Sequence, residues 1–175
     1  MLAGAVVAAD QLSKAWALRS LANGAPRLII GDTLAFELGF NDGAAFSLFG
    51  GGGFTAMLAL ITSVVAVVLV RLLRTTKDRP TVFALALILG GALGNLSDRI
   101  FRQPGIFRGH VVDFISVRNI PYFDRWPIFN IADAAIVVGV LMVLLRSLKQ
   151  DENQTDNSKS DPVAEPESQP LTSGE

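Results

Sequence analysis

Phe54-Thr55-Ala56-Met57-Leu58-Ala59-Leu60-Ile61-Thr62-Ser63-Val64-Val65-Ala66-Val67-Val68-Leu69-Val70 runs for seventeen residues without a charge. A helix needs roughly 20 mostly apolar residues to cross a bilayer, so this run, extended past Arg71 to Leu73, predicts a transmembrane helix. Two further stretches obey the same rule. Residues 82–96 are bounded by Pro80 and by Asp98-Arg99, and residues 128–145 are interrupted only by Asn130 and Asp133. A fourth stretch, residues 1–22, carries Asp10, Gln11 and Lys14 in its middle. It lacks the basic start and continuous apolar centre of a cleaved signal peptide, so a retained helix is expected. It opens abruptly at Met1, as a helix short of its first turn would. Asp10 and Lys14 stand four apart with the acid first, the favourable order for pairing on one helix face. The expected fold class is an all-α integral membrane protein with four transmembrane helices.

Between the spans lie shorter signals. Residues 27–30 and 34–40 are β-prone and flank Gly31-Asp32, which predicts a small hairpin. Asn41-Asp42-Gly43 and the glycines of residues 50–53 supply turn chemistry, so residues 23–53 read as one β-rich excursion. Residues 111–117 are β-prone again. Residues 115–127 lead into an aromatic segment with Tyr122, Phe123 and Trp126, suited to a membrane interface.

The chain has 175 residues and net charge −1, but that figure is a cancellation. Residues 1–149 carry net +5, whereas residues 150–175 carry net −6. The second segment is rich in Ser, Pro, Asn and Glu and is expected to be a disordered acidic tail beyond a membrane domain of residues 1–149. Cysteine is absent, which excludes disulfides, thiolate metal sites and a cysteine nucleophile. His110 is the single histidine, so a multi-histidine metal site cannot be built. Four spans put both termini on one side. The basic residues of 71–80, with Arg146 and Lys149, face seven arginines at the other end, so charge counting leaves the orientation open.

Ionisable groups inside apolar segments are costly and therefore functional candidates. They gather late in the chain: Asp98 after the third span, Asp113 within Val111-Val112-Asp113-Phe114, and Asp133 just inside the fourth. Asn130 and Asp133 are three apart, as are Asn95 and Asp98, which would place each pair on one helix face. Two neighbouring carboxylates cannot easily both ionise, so such a pair holds an acid and a base together, as peptide hydrolysis requires. A structural role competes at each position. Asp98 beside Arg99 reads first as an ion pair, Asp124 beside Arg125 as a solvated charge, and Gly90, Gly91 and Gly94 as close helix packing. His110, after Gly109 in a loop, need not ligate anything. Acidic clusters also build proton relays, so a small proton-coupled carrier is the alternative. Four spans are few for one, and no inverted repeat is visible.

Five blocks together resemble the lipoprotein signal peptidases, or signal peptidase II. They are Asp10-Gln11-Leu12-Ser13-Lys14; Asn41-Asp42-Gly43-Ala44-Ala45-Phe46; Gly90-Gly91-Ala92-Leu93-Gly94-Asn95-Leu96-Ser97-Asp98-Arg99; Val111-Val112-Asp113-Phe114; and Phe129-Asn130-Ile131-Ala132-Asp133. The resemblance implies a bacterial plasma-membrane aspartyl endopeptidase, blocked by globomycin, with cytoplasmic termini and a site near the extracytoplasmic face. It implies cleavage of diacylglyceryl-modified prolipoproteins before the lipidated cysteine, in contact with membrane lipids, without metal, cofactor or nucleic acid. The catalytic pair would fall on Asp113 and Asp133. Asn41, Arg99 and Asn130 would grip substrate or shape the site, with Asp10, Lys14, Asn95 and Asp98 in support. The hairpin region would be the family's extracytoplasmic β-cradle and the aromatic segment its short interfacial helix.

Overall fold

A computed structural model describes residues 1–43, 53–119 and 126–160 of the chain, with side chains as far as Lys149. Its elements are α1 (Leu2–Ser20), β1 (Arg27–Ile30), β2 (Leu34–Asn41), α2 (Gly53–Thr75), α3 (Arg79–Phe101), β3 (Val111–Val117) and α4 (Ile131–Ser160). The three most apolar runs become α2, α3 and residues 131–149 of α4, each long and apolar enough to cross a membrane. The protein is thus a mostly helical membrane protein with a small sheet. The first helix is not among those three, because Asp10, Lys14 and Arg19 break its apolar run.

Helix α4 departs from expectation at its far end. It continues through Ser160 and not to the composition break at Gln150. Once a helix is nucleated, each further residue costs little, so polar sequence can extend it. Residues 161–175 lie outside the described residues, as do 44–52 and 120–125. These hold the second half of the Asn41–Phe46 motif, most of the aromatic segment, and Asp124-Arg125.

Helix α3 is the central post, packed against α1, α2 and α4. Its start is set locally: Asp78 accepts the Thr81 backbone N–H at 3.0 Å, and Pro80 occupies the first turn. Asp78 also meets Arg146 at 2.6 Å, tying the middle of α4 to the head of α3. Its glycines let neighbours approach. A Cβ at Gly90 would lie 2.6 Å from the Val6 side chain on α1, and one at Gly91 would lie 2.3 Å from the Ala132 carbonyl on α4. Small residues substitute backbone approach for side-chain bulk, the usual device where lipid removes the hydrophobic drive between helices. Gly91→Ala is therefore expected to cost about 1–3 kcal/mol by overpacking. Thermal unfolding in detergent checks this; a parental unfolding temperature would show that α3 and α4 are not clamped here.

The expected hairpin forms and gains a third strand, giving the antiparallel order β1-β2-β3. Pairing of β2 with β3 runs from Leu34↔Val117 to Phe36↔Ile115, slips by one residue, and resumes from Gly39↔Asp113 to Asn41↔Val111. Such a bulge re-aims the residues beyond it. The sheet is held to α1 by a cluster of Trp16, Phe36 and Phe114, with Trp16 and Phe36 edge to face at 5.1 Å. Phe129 then pairs with Ile115 through N–H···O bonds of 2.8 and 3.0 Å, which sets the entry of α4 beside β3.

Candidate active site

Asn130 stands one residue before α4 and caps it. Its Oδ1 accepts the Asp133 N–H at 3.0 Å, while Asp133 Oδ2 accepts the Asn130 N–H at 3.2 Å. This is a reciprocal capping box, satisfying two orphan donors of the helix start. The spacing of three thus marks a helix start and not a shared helix face. The Asn130 amide then reaches outward. Nδ2 donates to Asp113 Oδ1 at 2.6 Å and lies 3.1 Å from Asn95 Oδ1. Asn95 Nδ2 in turn donates to Asp133 Oδ1 at 2.7 Å. Two carboxylates from β3 and α4 are therefore gathered around a common asparagine.

Asn41 approaches from β2. It pairs opposite Val111, so Asp113 lies on its diagonal, and its side chain hydrogen-bonds the Asp113 carboxyl. Its Oδ1 accepts the Gly43 N–H at 2.8 Å, holding the turn in which Gly43 takes φ +90°. Burial, then the nearby Asp133 charge, push Asp113 up to about 6 against the opposing pull of the Asn130 and Asn41 bonds. Asp113 is thereby suited to keep a proton that an ordinary aspartate would lose.

Arg99 projects toward the same centre, within electrostatic range of Asp113, Asp98, Asp133 and Asp42. Its Nη1 is buried and has no hydrogen-bond partner among the described residues. The expected Asp98–Arg99 pair does not form. Adjacent helix residues point about 100° apart, and Asp98 instead meets Lys14 at 2.9 Å and Arg102 at 2.6 Å.

Behind the carboxylates lies a buried ionic layer. Lys14, fully buried, gives its three donors to Asp10 at 2.8 Å, Asp98 at 2.9 Å and Asn95 at 2.9 Å. Each acid also takes a backbone N–H beside the pair. Asp10 Oδ1 accepts from Ala132 at 3.1 Å, and Asp98 Oδ2 accepts from Val112 at 3.1 Å. Gln11 bridges them, donating to Asp98 Oδ1 and to the Gly94 carbonyl. All nine expected site residues thus belong to one connected region. Sequence reasoning passed over Gln11 as a bridge and Arg102 as the outer partner of Asp98. The four-residue spacing from Asp98 to Arg102 was the available signal. Among the described residues no group of three or more acids and histidines is placed to hold a metal ion.

Comparison with known proteins bears on this arrangement. The family described as signal peptidase (SPase) II matches residues 2–149. A lipoprotein signal peptidase of Rhodococcus jostii is 43% identical over 148 residues, covering 85% of this chain and 71% of the relative. One from Streptomyces griseus is 44% identical over 151 residues, covering 85% and 73%. A solved bacterial membrane enzyme superposes with a TM-score of 0.73 at 31% identity, over 85% of this chain and 90% of that one.

Proposed function

The chain belongs to the signal peptidase II family, and from that premise we infer that it is a membrane aspartyl endopeptidase removing signal peptides from diacylglyceryl-modified prolipoproteins. The observation that carries the mechanism is the convergence of Asp113 and Asp133 on Asn130. With one proton between them, the ionised carboxylate takes a proton from water as it attacks the scissile carbonyl. The protonated one, the role to which the raised Asp113 carboxyl is suited, donates to the developing oxyanion. Asn130 and Asn95 keep both carboxyls oriented, so little reorganisation is left for the reacting state. The carrier alternative has no support among these relatives. Incubation with a synthetic lipidated prolipoprotein peptide tests the reading: cleavage immediately before the modified cysteine is expected, and an intact peptide with folded protein would overturn it.

Residues 1–149 form the peptidase unit, and α1 is its fourth span. Supporting this, Asp10 and Lys14 have no exposed surface and turn their charges to α3 and α4, leaving none of that pair for lipid. Both termini then lie in the cytoplasm with the basic residues of 71–80, and the site faces the extracytoplasmic side.

Two outcomes follow from the chemistry. As Asp113 holds its proton up to about 6, kcat/KM should fall on the alkaline side as that proton is lost. The apparent constant belongs to the pair. A profile flat from pH 5 to 8 would remove the proton donor from the scheme. Arg99, whose buried Nη1 is unpaired among the described residues, is poised to hold a substrate carbonyl. Arg99→Lys should lose about 1.5–3 kcal/mol of transition-state stabilisation, because an ammonium lacks the planar fork. Parental turnover in both Arg99→Lys and Arg99→Ala would reduce the residue to an interfacial charge.

A further inference from the structure

A second cleft opens on the loop that follows α3. It has a volume of about 550 Å³ and is lined by Phe40, Phe101, Arg102, Gln103, Pro104, His110 and Val112. No acid lines it. Phe40 and Val112 are direct partners across β2 and β3, one step out of phase with Gly39 and Asp113. Side chains alternate across a sheet, so the cleft opens on the side away from the Asp113 carboxyl. It is not part of the cleavage site.

Its rim is unusually apolar for a loop. Of its lining, Phe101 is 82% exposed and Phe40 is also exposed, and Ile106 and Phe107 of the loop that follows α3 are exposed as well. The loop is braced nonetheless. Gly109 N–H bonds the Arg99 carbonyl at 3.0 Å, and His110 N–H bonds the Gln103 carbonyl at 3.1 Å. A Cβ at Gly109 would lie 2.1 Å from the Asp98 carbonyl, so the loop closes tightly over the end of α3. Exposed apolar patches of this kind mark a contact surface, and this one sits at the end of a membrane-length helix.

The polar side of the cleft is cationic. Arg102 uses Nε on Asp98 at 2.6 Å, while among the described residues its Nη2 has only a 3.5 Å contact with Gln11. His110 also lines the cleft, and Arg108, two residues earlier in the same loop, is exposed. Guanidinium groups bind phosphate through paired N–H donors, and basic pockets beside membrane helices take anionic lipid headgroups.

We propose that this cleft binds one anionic phospholipid of the surrounding leaflet, its phosphate on Arg102 and His110 and its chain across Phe40 and Phe101. An amphiphile satisfies both halves of the site, whereas a free phosphate would leave the aromatic rim bare. Through Arg102 the lipid touches Asp98, and through Asp98 the Val112 N–H, one residue from Asp113.

The full chain would be reconstituted in nanodiscs of phosphatidylcholine mixed with phosphatidylglycerol, and the lipid retained after extraction counted by native mass spectrometry. One phosphatidylglycerol per protein is expected in preference to phosphatidylcholine. Because Arg102 also holds Asp98, the decisive variants are Phe101→Ser and His110→Ala, which leave that ion pair intact. Retention should fall about tenfold in each, the loss of one good contact, with parental unfolding temperature. Equal retention of both lipids, unchanged retention in the variants, or displacement by the lipidated substrate peptide would overturn the proposal. The readout needs no turnover, so its failure leaves the protease reading untouched.

Discussion

Asp113→Asn, Asp133→Asn and the double variant are expected to lose cleavage of the lipidated peptide to nearly the same residual level, a fall on the order of a thousandfold or more. Groups that share one proton cannot do each other's work, so the losses do not add. The folded state should survive. Asn retains the size of Asp and can still bond Asn130 and Asn95. For Asp113 the sign of the stability change can be worked out. Its carboxyl is raised from 3.8 to about 6, so between those values the unfolded chain binds fewer protons than the folded one, and stability falls as pH rises. Asp113→Asn removes that loss and should be more stable at pH 7 by up to about 3 kcal/mol. A dead but hardened Asp113→Asn protein is the signature of a functional acid. An active one, or one that unfolds early, would make Asp113 a structural residue.

Lys14→Met should have the opposite character, with stability lost first. Asp10 and Asp98 would be left buried beside each other without the ammonium between them, and Asn95 Oδ1 would lose one of its two donors. Removing one partner of a buried ionic cluster typically costs about 3–5 kcal/mol, far more than the cluster contributes over an apolar replacement. Unfolding temperature in detergent reads this directly. Adding Asp10→Asn and Asp98→Asn to Lys14→Met should return part of the loss, since the uncompensated charges are then gone. If Lys14→Met melts with the parent, the layer is not the support described above.

Much of this was legible in the sequence because apolar runs and helix length obey the same bilayer. The three most apolar runs became α2, α3 and residues 131–149 of α4. Asp10 and Lys14 paired as their spacing required. What escaped were relations set by tertiary contact. Asp98 has Arg99 beside it in sequence, yet helix geometry turns the two apart and delivers Lys14 from another helix. A spacing of three between Asn130 and Asp133 fits a helix face and a helix cap equally well, and only the start of α4 decides. The slip between Phe36 and Gly39 sets the β2–β3 register around Asn41 and Asp113, and no local pattern announces it. The extension of α4 to Ser160 reflects propagation, which composition alone does not report.

The capping of α4 by Asn130 bears on when the enzyme comes to life. Domains form from the N-terminus as the ribosome delivers them, and α1, α3 and β3 are all made before Asn130 emerges. Until α4 docks, Asp113 lacks both its partner acid and the amide that aims it. On the proposed mechanism a chain in which α4 has not yet docked against α3 would be chemically silent in the membrane, and α4 would serve as the safety catch.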